Sequence, residues 1–219
     1  MFNKIRIVYK QYGLVGFIKR IAKFILNKIG ININTYKYML YDIDPTFCKT
    51  MFESFKFSDI KSLIYDDFYK GDKTVFTERK LAVIKQRYAD GAYNAYGIVI
   101  DEQLVFSCWI SLQRFEASNA FWTESLGENE VLLMDAYCNP EYRGKGTQRM
   151  MCYYRLWKAF EMGKKTAISI VLNENKPSFR SLTKVGFNTA FTYTVFDYWG
   201  KTFTNYFNKK QKYRENESK

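Results

Sequence analysis

The sequence predicts an α/β or α+β sheet domain, and three observations carry that prediction. Helical and strand-like periods interleave along the chain, a β-hairpin stands ahead of that alternation, and the composition is 47% hydrophobic against 26% charged. Taken in order, Gly13 to Gly30 brackets a helical pattern. Leu14, Phe17, Ile18, Ile21, Phe24, Ile25 and Ile29 share one face; Lys19, Arg20, Lys23, Asn27 and Lys28 share the other. Tyr36–Tyr41 reads as a first strand, with Asp42–Pro45 as the turn out of it. Residues 46–70 read as one or two short helices and Thr77–Tyr88 as a clearer one. Ala95–Ile100 and Leu104–Leu112 flank an Asp101-Glu102 turn as a hairpin. A polar stretch, 113–129, leads into an apolar strand, Val131–Cys138. Then follow a glycine-rich turn, a helix from Gly146 to Met162, a buried strand Thr166–Leu172, a short helix Pro177–Val185 and an aromatic strand Phe187–Tyr198. The last dozen residues are expected to fray.

The chain contains no histidine, which excludes Ser-His-Asp and Cys-His catalysis and any His-containing metal site; no metal is expected. A general base must then be a carboxylate, a tyrosine, a relayed water or a group of the substrate. Cys48, Cys108, Cys138 and Cys152 form no C-x-x-C pair and read as reduced thiols of a cytoplasmic protein. No run approaches the ~20 uncharged apolar residues of a spanning helix, and the opening MFNKIRIVYK does not read as a secretory signal.

The net charge of +12 is unevenly placed. Residues 1–41 hold eight basic side chains and no acid, residues 201–219 hold six against two, and 42–200 balances at 20 against 20. Three segments follow: a basic amphipathic N-terminal segment 1–36, a domain over 37–200 and a basic tail 201–219. The apolar face of 13–30 suits either an anionic membrane surface, peripheral to its inner face, or docking on the neighbouring domain. No helix-turn-helix, C₂H₂ or RNP-like pattern supports specific nucleic-acid reading.

The informative stretch is Cys138-Asn-Pro-Glu-Tyr-Arg-Gly-Lys-Gly-Thr-Gln148, directly after a strand and directly before a helix. Gly144 and Gly146 let backbone approach a ligand closely, N–H groups point outward at the helix start, and Arg143, Lys145 and Arg149 add positive charge. Such a unit can cradle a pyrophosphate; a plain tight turn is the alternative. It is neither a Walker A loop nor a GxGxxG loop.

Asp135-Ala-Tyr-Cys-Asn-Pro-Glu-Tyr-Arg-Gly-Lys-Gly resembles the fourth strand and acyl-CoA loop (Q/R-x-x-G-x-G/A) of the GNAT superfamily of acyl-CoA-dependent N-acetyltransferases. Asn175-Lys-Pro-Ser-Phe-Arg-Ser-Leu-Thr-Lys-Val-Gly-Phe187 is similar to that family's second signature, 29 residues downstream of Gly146. The resemblance is sharp over 131–187 and present in outline over 37–200. It implies a mixed sheet, flanked by helices and splayed between its fourth and fifth strands, with acetyl-CoA or another acyl-CoA in the cleft. Backbone of Ala136, Tyr137 and Cys138 would pair with the pantetheine arm. N–H groups from Gly144 through Lys145, Gly146 and Thr147 to Gln148 would hold the pyrophosphate beside Arg143. Asn175 and Ser178 would meet the pantetheine arm, and Gly186-Phe187 would close the second helix.

Two positions depart from the family pattern. Gln148 stands where Gly or Ala is usual, and Leu182 stands where many relatives carry the tyrosine that protonates the departing thiolate; Tyr193 or Tyr137 would have to substitute. Asp135 sits in the family-like place for a base or for a structural carboxylate, with Met134 and Glu130 nearby. The Cys138 amide would serve as oxyanion donor rather than its thiol as nucleophile. The expected activity is transfer of an acyl group from acyl-CoA to a primary amine, by a monomer or homodimer. The acceptor is a small molecule such as an amino sugar or glycan intermediate, met by an aromatic wall of Phe115, Phe121 and Trp122. The rival reading is a catalytically degenerate module that binds membrane or nucleic acid through its basic ends.

Overall fold

The structure, a computed structural model, describes residues 25–54, 57–116, 123–199 and 201–207, which fall into two compact units. The larger comprises 38–54, 57–116, 123–171 and 175–190; the smaller comprises 25–37, 172–174, 191–199 and 201–207. Strands β1 (Ile31–Asp42), β8 (Thr166–Leu172) and β9 (Asn188–Tyr198) contribute to both.

In the larger unit the sheet order is β1, β8 (Thr166–Leu172), β7 (Glu130–Cys138), β4 (Gln103–Ser111), β3 (Tyr93–Ile100) and β2 (Lys61–Ser62). The β2–β3–β4–β7 run is antiparallel and β7–β8 is parallel, so the sheet is mixed. Four helices accompany it: α1 (Pro45–Ser54), α2 (Glu78–Asp90), α3 (Thr147–Glu161) and α4 (Lys176–Val185). Alternation along the strands sends side chains to two cores. One core gathers Ile98, Phe106, Ile110, Val131 and Leu133 with Met151, Leu156 and Leu182 of α3 and α4. The other gathers Tyr93, Ala95, Trp109 and Tyr137 with Leu81 and Ile84 of α2 and Phe68 of a 3₁₀ turn, Tyr65–Lys70. Each apolar face of the sheet is thus covered.

Thr166–Leu172 and the hairpin lie where the pattern places them, and the helices agree to within a residue or two. Four differences have physical reasons. The first strand starts at Ile31 rather than Tyr36, because Ile-Asn-Ile-Asn already alternates after the left-handed Gly30 (φ 81°). Residues 46–70 contain one helix, the two-residue strand β2 and the 3₁₀ turn. The polar stretch 113–129 contains a short antiparallel pair, β5 (Arg114–Glu116) with β6 (Thr123–Ser125). Lys201–Phe207, placed in the tail by its charge, forms strand β10 of the smaller unit and pairs antiparallel with β9, Phe203 opposite Phe196. The β10 sequence, Lys-Thr-Phe-Thr-Asn-Tyr-Phe, has no strict alternation, and the basic run that follows hides it as a strand.

Most of the amphipathic segment 13–30 lies outside the described residues, which begin with one helical turn at 25–28. Cys108 and Cys152 are buried free thiols pushed up to about 11 by burial, with Arg155 opposing; the Cys48 side chain lies outside the described residues. Among the described residues no helix is long and apolar enough to cross a membrane.

Candidate active site

Strand β7 carries the defining irregularity of the larger unit. Trp109 faces Met134 and Ser107 faces Tyr137, so Asp135 and Ala136 together oppose Cys108 and form a β-bulge. Asp135 takes a left-handed φ of 47°, a conformation that short polar side chains tolerate better than most. The extra residue inverts the alternation: Val131 and Leu133 enter the α3/α4 core, whereas Tyr137 enters the α2 core against Phe76, ring centroids 4.9 Å apart.

On its other edge β7 pairs with β8 only from Glu130↔Thr166 to Leu132↔Ile168. Beyond Leu132 the two strands part. The Asn139 N–H bonds to the Val105 carbonyl (2.9 Å) in the same register as Ser107↔Tyr137, so the alternation of antiparallel ladders turns the backbone groups of Ala136 and Cys138 the other way, into the splay. The Ala136 N–H and carbonyl and the Cys138 N–H there suit an extended partner, while the Cys138 carbonyl accepts from Arg143.

The chain then enters the loop. Asn139 accepts the Glu141 N–H at 3.1 Å, Pro140 opens a single 3₁₀ turn (Pro140–Tyr142), and the Arg143 Nε donates to the Cys138 carbonyl at 3.1 Å. Gly144 and Gly146 both lie in the left-handed region (φ 80° and 79°) with open space where a Cβ would stand. Gly146 is the N-cap of α3, and no side chain caps that helix nor does an acid stand in its first turn. Its first N–H groups and the positive end of its dipole therefore face an open, cationic approach, a ready anion site.

Helix α4 closes the opposite side. The Asn175 Oδ1 accepts the Ser178 N–H at 3.2 Å as N-cap, which leaves its amide NH₂ for another partner. Gly186 ends the helix with φ 115°. These elements enclose a cleft of ≈ 760 Å³ lined on one side by residues 135–138 and 142–149 except Lys145, on another by Asn175, Ser178 and Ser181 of α4, and at its inner wall by Phe76, Lys80 and Trp109.

Asp135 is engaged by Lys80, and the Arg87 Nη1 donates to its Oδ2 at 2.6 Å. Burial raises its pKa, but the charges and hydrogen bonds of Lys80 and Arg87 more than offset this and hold it below the ordinary carboxylate range. Arg87 in turn lies over the Trp109 ring, 5.1 Å from its centroid. The Cys138 thiol is pushed up by burial against the opposing charge of Arg143, so it stays protonated near neutral pH and is unsuited to nucleophilic attack. Burial also raises the Tyr137 phenol.

The structure brings Asp135, Ala136, Tyr137, Cys138, Arg143, Gly144, Gly146, Thr147, Gln148, Asn175 and Ser178 to this one cleft. Gln148, the first departure, is half-buried and lines it. Two expected residues fall elsewhere. Lys145 turns its ammonium over the Tyr142 ring, 4.9 Å from the centroid, and does not line the cleft. Tyr193 belongs to the smaller unit, is fully buried and stacks on Tyr36 at 5.3 Å, so it is a core residue and not a proton donor in this cleft. Leu182 is 3% exposed in the α3/α4 core, so no phenol stands at that position. The Glu130 carboxylate closes a turn by accepting the Gly127 N–H at 2.9 Å and does not line the cleft. Phe121 and Trp122 lie outside the described residues, as does the side chain of Phe115. The residues missed from sequence include the lining residues Lys80, Phe76, Trp109, Arg180 and Lys184, and Arg87, which bonds to Asp135. For Lys80 and Arg87 the only local signal is a helix with basic residues at those positions, which any surface helix carries.

No family model matches the sequence, and none of the curated proteins does. Among solved structures the chain is similar to a candidate acetyltransferase of the GNAT family from Novosphingobium aromaticivorans (15% identity, TM-score 0.51, covering 75% of this chain and 65% of that one). It is also similar to a Drosophila protein (14% identity, TM-score 0.50, covering 84% and 58%). The chain thus spans 65% and 58% of the lengths of those two proteins. The splayed β7–β8 pair, the bulge and the glycine loop at a helix start stand with that likeness: the chain has the GNAT fold.

Proposed function

We propose that this protein is an acyl-CoA-dependent N-acyltransferase whose cleft holds acetyl-CoA or a related thioester. One observation carries the reading: the open edge of β7 after the bulge leads without interruption into the two-glycine loop and the uncapped start of α3. That sequence of groups matches the chemistry of coenzyme A along its length. The amides of the pantetheine arm suit the outward backbone of Ala136 and Cys138, as an added strand would. The pyrophosphate suits the N–H groups from Gly144 to Gln148, with the Arg143 and Arg149 guanidiniums nearby. The free amide of Asn175 and the Ser178 hydroxyl suit the arm from the α4 side.

In the reaction, the nitrogen of a neutral amine attacks the thioester carbonyl carbon, the C–S bond breaks, and an amide and the CoA thiol result. Of the two outward N–H groups, that of Ala136, at the bulge end of the edge, is the donor for the oxyanion, and that of Cys138 stays with the arm. The departing thiolate takes up the proton that the nitrogen loses, so the reaction balances without a dedicated tyrosine. Asp135 serves as a positioning residue: bonded to Lys80 and Arg87, it holds the bulge that turns Ala136 and Cys138 outward. Among acceptors, an amino sugar or glycan intermediate is the class this reading favours.

The test is an acyl-transfer assay on the full chain, reading CoA thiol release with acetyl-CoA and a panel of amines. Amine-dependent release with formation of the amide is the expected result. Release that is independent of amine, or none despite bound acetyl-CoA, contradicts it.

A further inference from the structure

We infer that the acyl acceptor is a weakly basic primary amine that carries an anionic group, phosphate or carboxylate, met by Lys80. The inference rests on the acyltransferase reading and narrows its substrate.

The first argument concerns the proton. The chain has no histidine, and among the described residues lining the cleft the sole carboxylate is Asp135. It is occupied by Lys80 and Arg87, which keep it a poor proton acceptor. The Cys138 thiol and the Tyr137 phenol, beside it on β7, are both pushed up by burial. None of these groups takes a proton from an ammonium near neutrality, so the acceptor must arrive already neutral. At about pH 7.5 an amine with the basicity of an α-amino group is neutral roughly one-third of the time, and an alkylamine like lysine about one-thousandth. That difference, of order two hundredfold, decides which amines react.

The second argument concerns charge. Five cationic side chains line the cleft, Lys80, Arg143, Arg149, Arg180 and Lys184, against the single Asp135. Four of them belong to the loop and to helices α3 and α4, where the phosphates of a CoA ligand would lie. Lys80 stands apart, on α2 at the bulge. It bonds to Asp135, at the bulge end of the open β7 edge and three residues before Cys138. Lys80 and Arg87 both engage Asp135. Arg87 is nearly covered, packed over Trp109 and against Tyr93, whereas the Lys80 side chain is 29% exposed and lines the cleft. The cation that faces the ligand on this wall is therefore Lys80, which attracts an anionic acceptor and repels a polycation.

The experiment uses the full chain with saturating acetyl-CoA and matched acceptors: glucosamine, glucosamine 6-phosphate, glycine, glycinamide and spermidine. Counted on the neutral amine of each acceptor, because an anionic group raises the pKa of its own amine, the expected kcat/KM is about tenfold higher for one of the two anionic amines than for its neutral counterpart, a ratio worth one charge-assisted hydrogen bond. Whether the phosphate or the carboxylate pair shows it tells the two sources apart. Lys80→Met brings that ratio close to one, and Lys80→Arg retains it. The apparent pKa of kcat/KM follows the pKa of the acceptor's own amine from one acceptor to the next. Four results overturn the inference: spermidine as the best acceptor, a ratio unchanged in Lys80→Met, an apparent pKa that stays fixed across acceptors, or acetyl-CoA bound with none of these amines acylated. If Lys80→Met fails to fold, the wild-type ratio and pH profiles decide alone. Failure of the wild type to bind acetyl-CoA contradicts the acyltransferase reading itself, which is a separate outcome.

Discussion

One wall of the cleft presents backbone and the other presents side chains. Along residues 139–149 and the first turn of α3, the polar groups are N–H donors fixed by Pro140, Gly144 and Gly146. Along α2, β4 and the β7 bulge, the polar groups are Lys80, Arg87 and Asp135, set in an aromatic layer of Phe76, Trp109 and Tyr137. A backbone wall depends on local conformation and tolerates most side chains. A side-chain wall depends on charges that neutralise one another across elements 48 and 55 residues apart in sequence. The two walls should therefore break differently: the first in ligand affinity, the second in stability.

The largest expected effect is at Asp135. Asp135→Asn keeps a residue that tolerates the left-handed backbone but leaves two cations facing each other, one of them nearly covered. The loss should be roughly 3 kcal/mol, the low end for breaking a buried ion pair because Asp135 is partly exposed. A urea midpoint for wild type and variant measures it, and a change below about 0.5 kcal/mol would mean that the ion cluster does not hold the bulge.

The same cluster fixes a pH dependence. The folded pKa of Asp135 lies below its unfolded value near 3.8, so its contribution is fully present above that pH and is lost as pH falls through the folded value. Wild-type stability should accordingly fall on the acid side of about pH 4, and this limb should be shallower in Asp135→Asn. Equal limbs would place the shift elsewhere, Asp67 being the next carboxylate held low, by Lys61 and the Ile64 N–H against its own burial.

On the backbone wall, Gly144→Ala should cost about 1 kcal/mol of stability from the left-handed strain alone, since its Cβ meets nothing. The informative readout is affinity. The same Cβ projects into the open space beside the helix start, so acetyl-CoA should bind more weakly than stability alone explains. Unchanged affinity would remove this loop from the binding surface.

How much of this was legible in the sequence follows the same division. The strand, the loop and α3 were read within a residue or two because Pro140, Gly144, Gly146 and Asn175 act on their own neighbours in the chain. The splay itself was implied only by resemblance, since nothing in Val131–Cys138 says where pairing with Thr166–Leu172 will stop. The bulge was not legible: one extra residue in β7 has no local mark beyond Asp135 itself, and it moved Tyr137 to the opposite core. Lys80 and Arg87 carry no mark in the sequence that separates them from other basic helix residues, and only tertiary packing pairs them with Asp135. Tyr193 failed for the converse reason, because an aromatic strand residue reads alike whether it lines a cleft or stacks in a core.

The central claim is that the glycine loop and the open β7 edge form an acyl-CoA site, and calorimetric titration of the full chain with acetyl-CoA tests it most directly. The account predicts micromolar binding by the wild type and none by Gly146→Trp, whose bulky side chain would fill the space before the first N–H groups of α3, with the variant shown by its far-UV spectrum and melting to be folded. Absence of binding by the folded wild type, or equal binding by the variant, would contradict it.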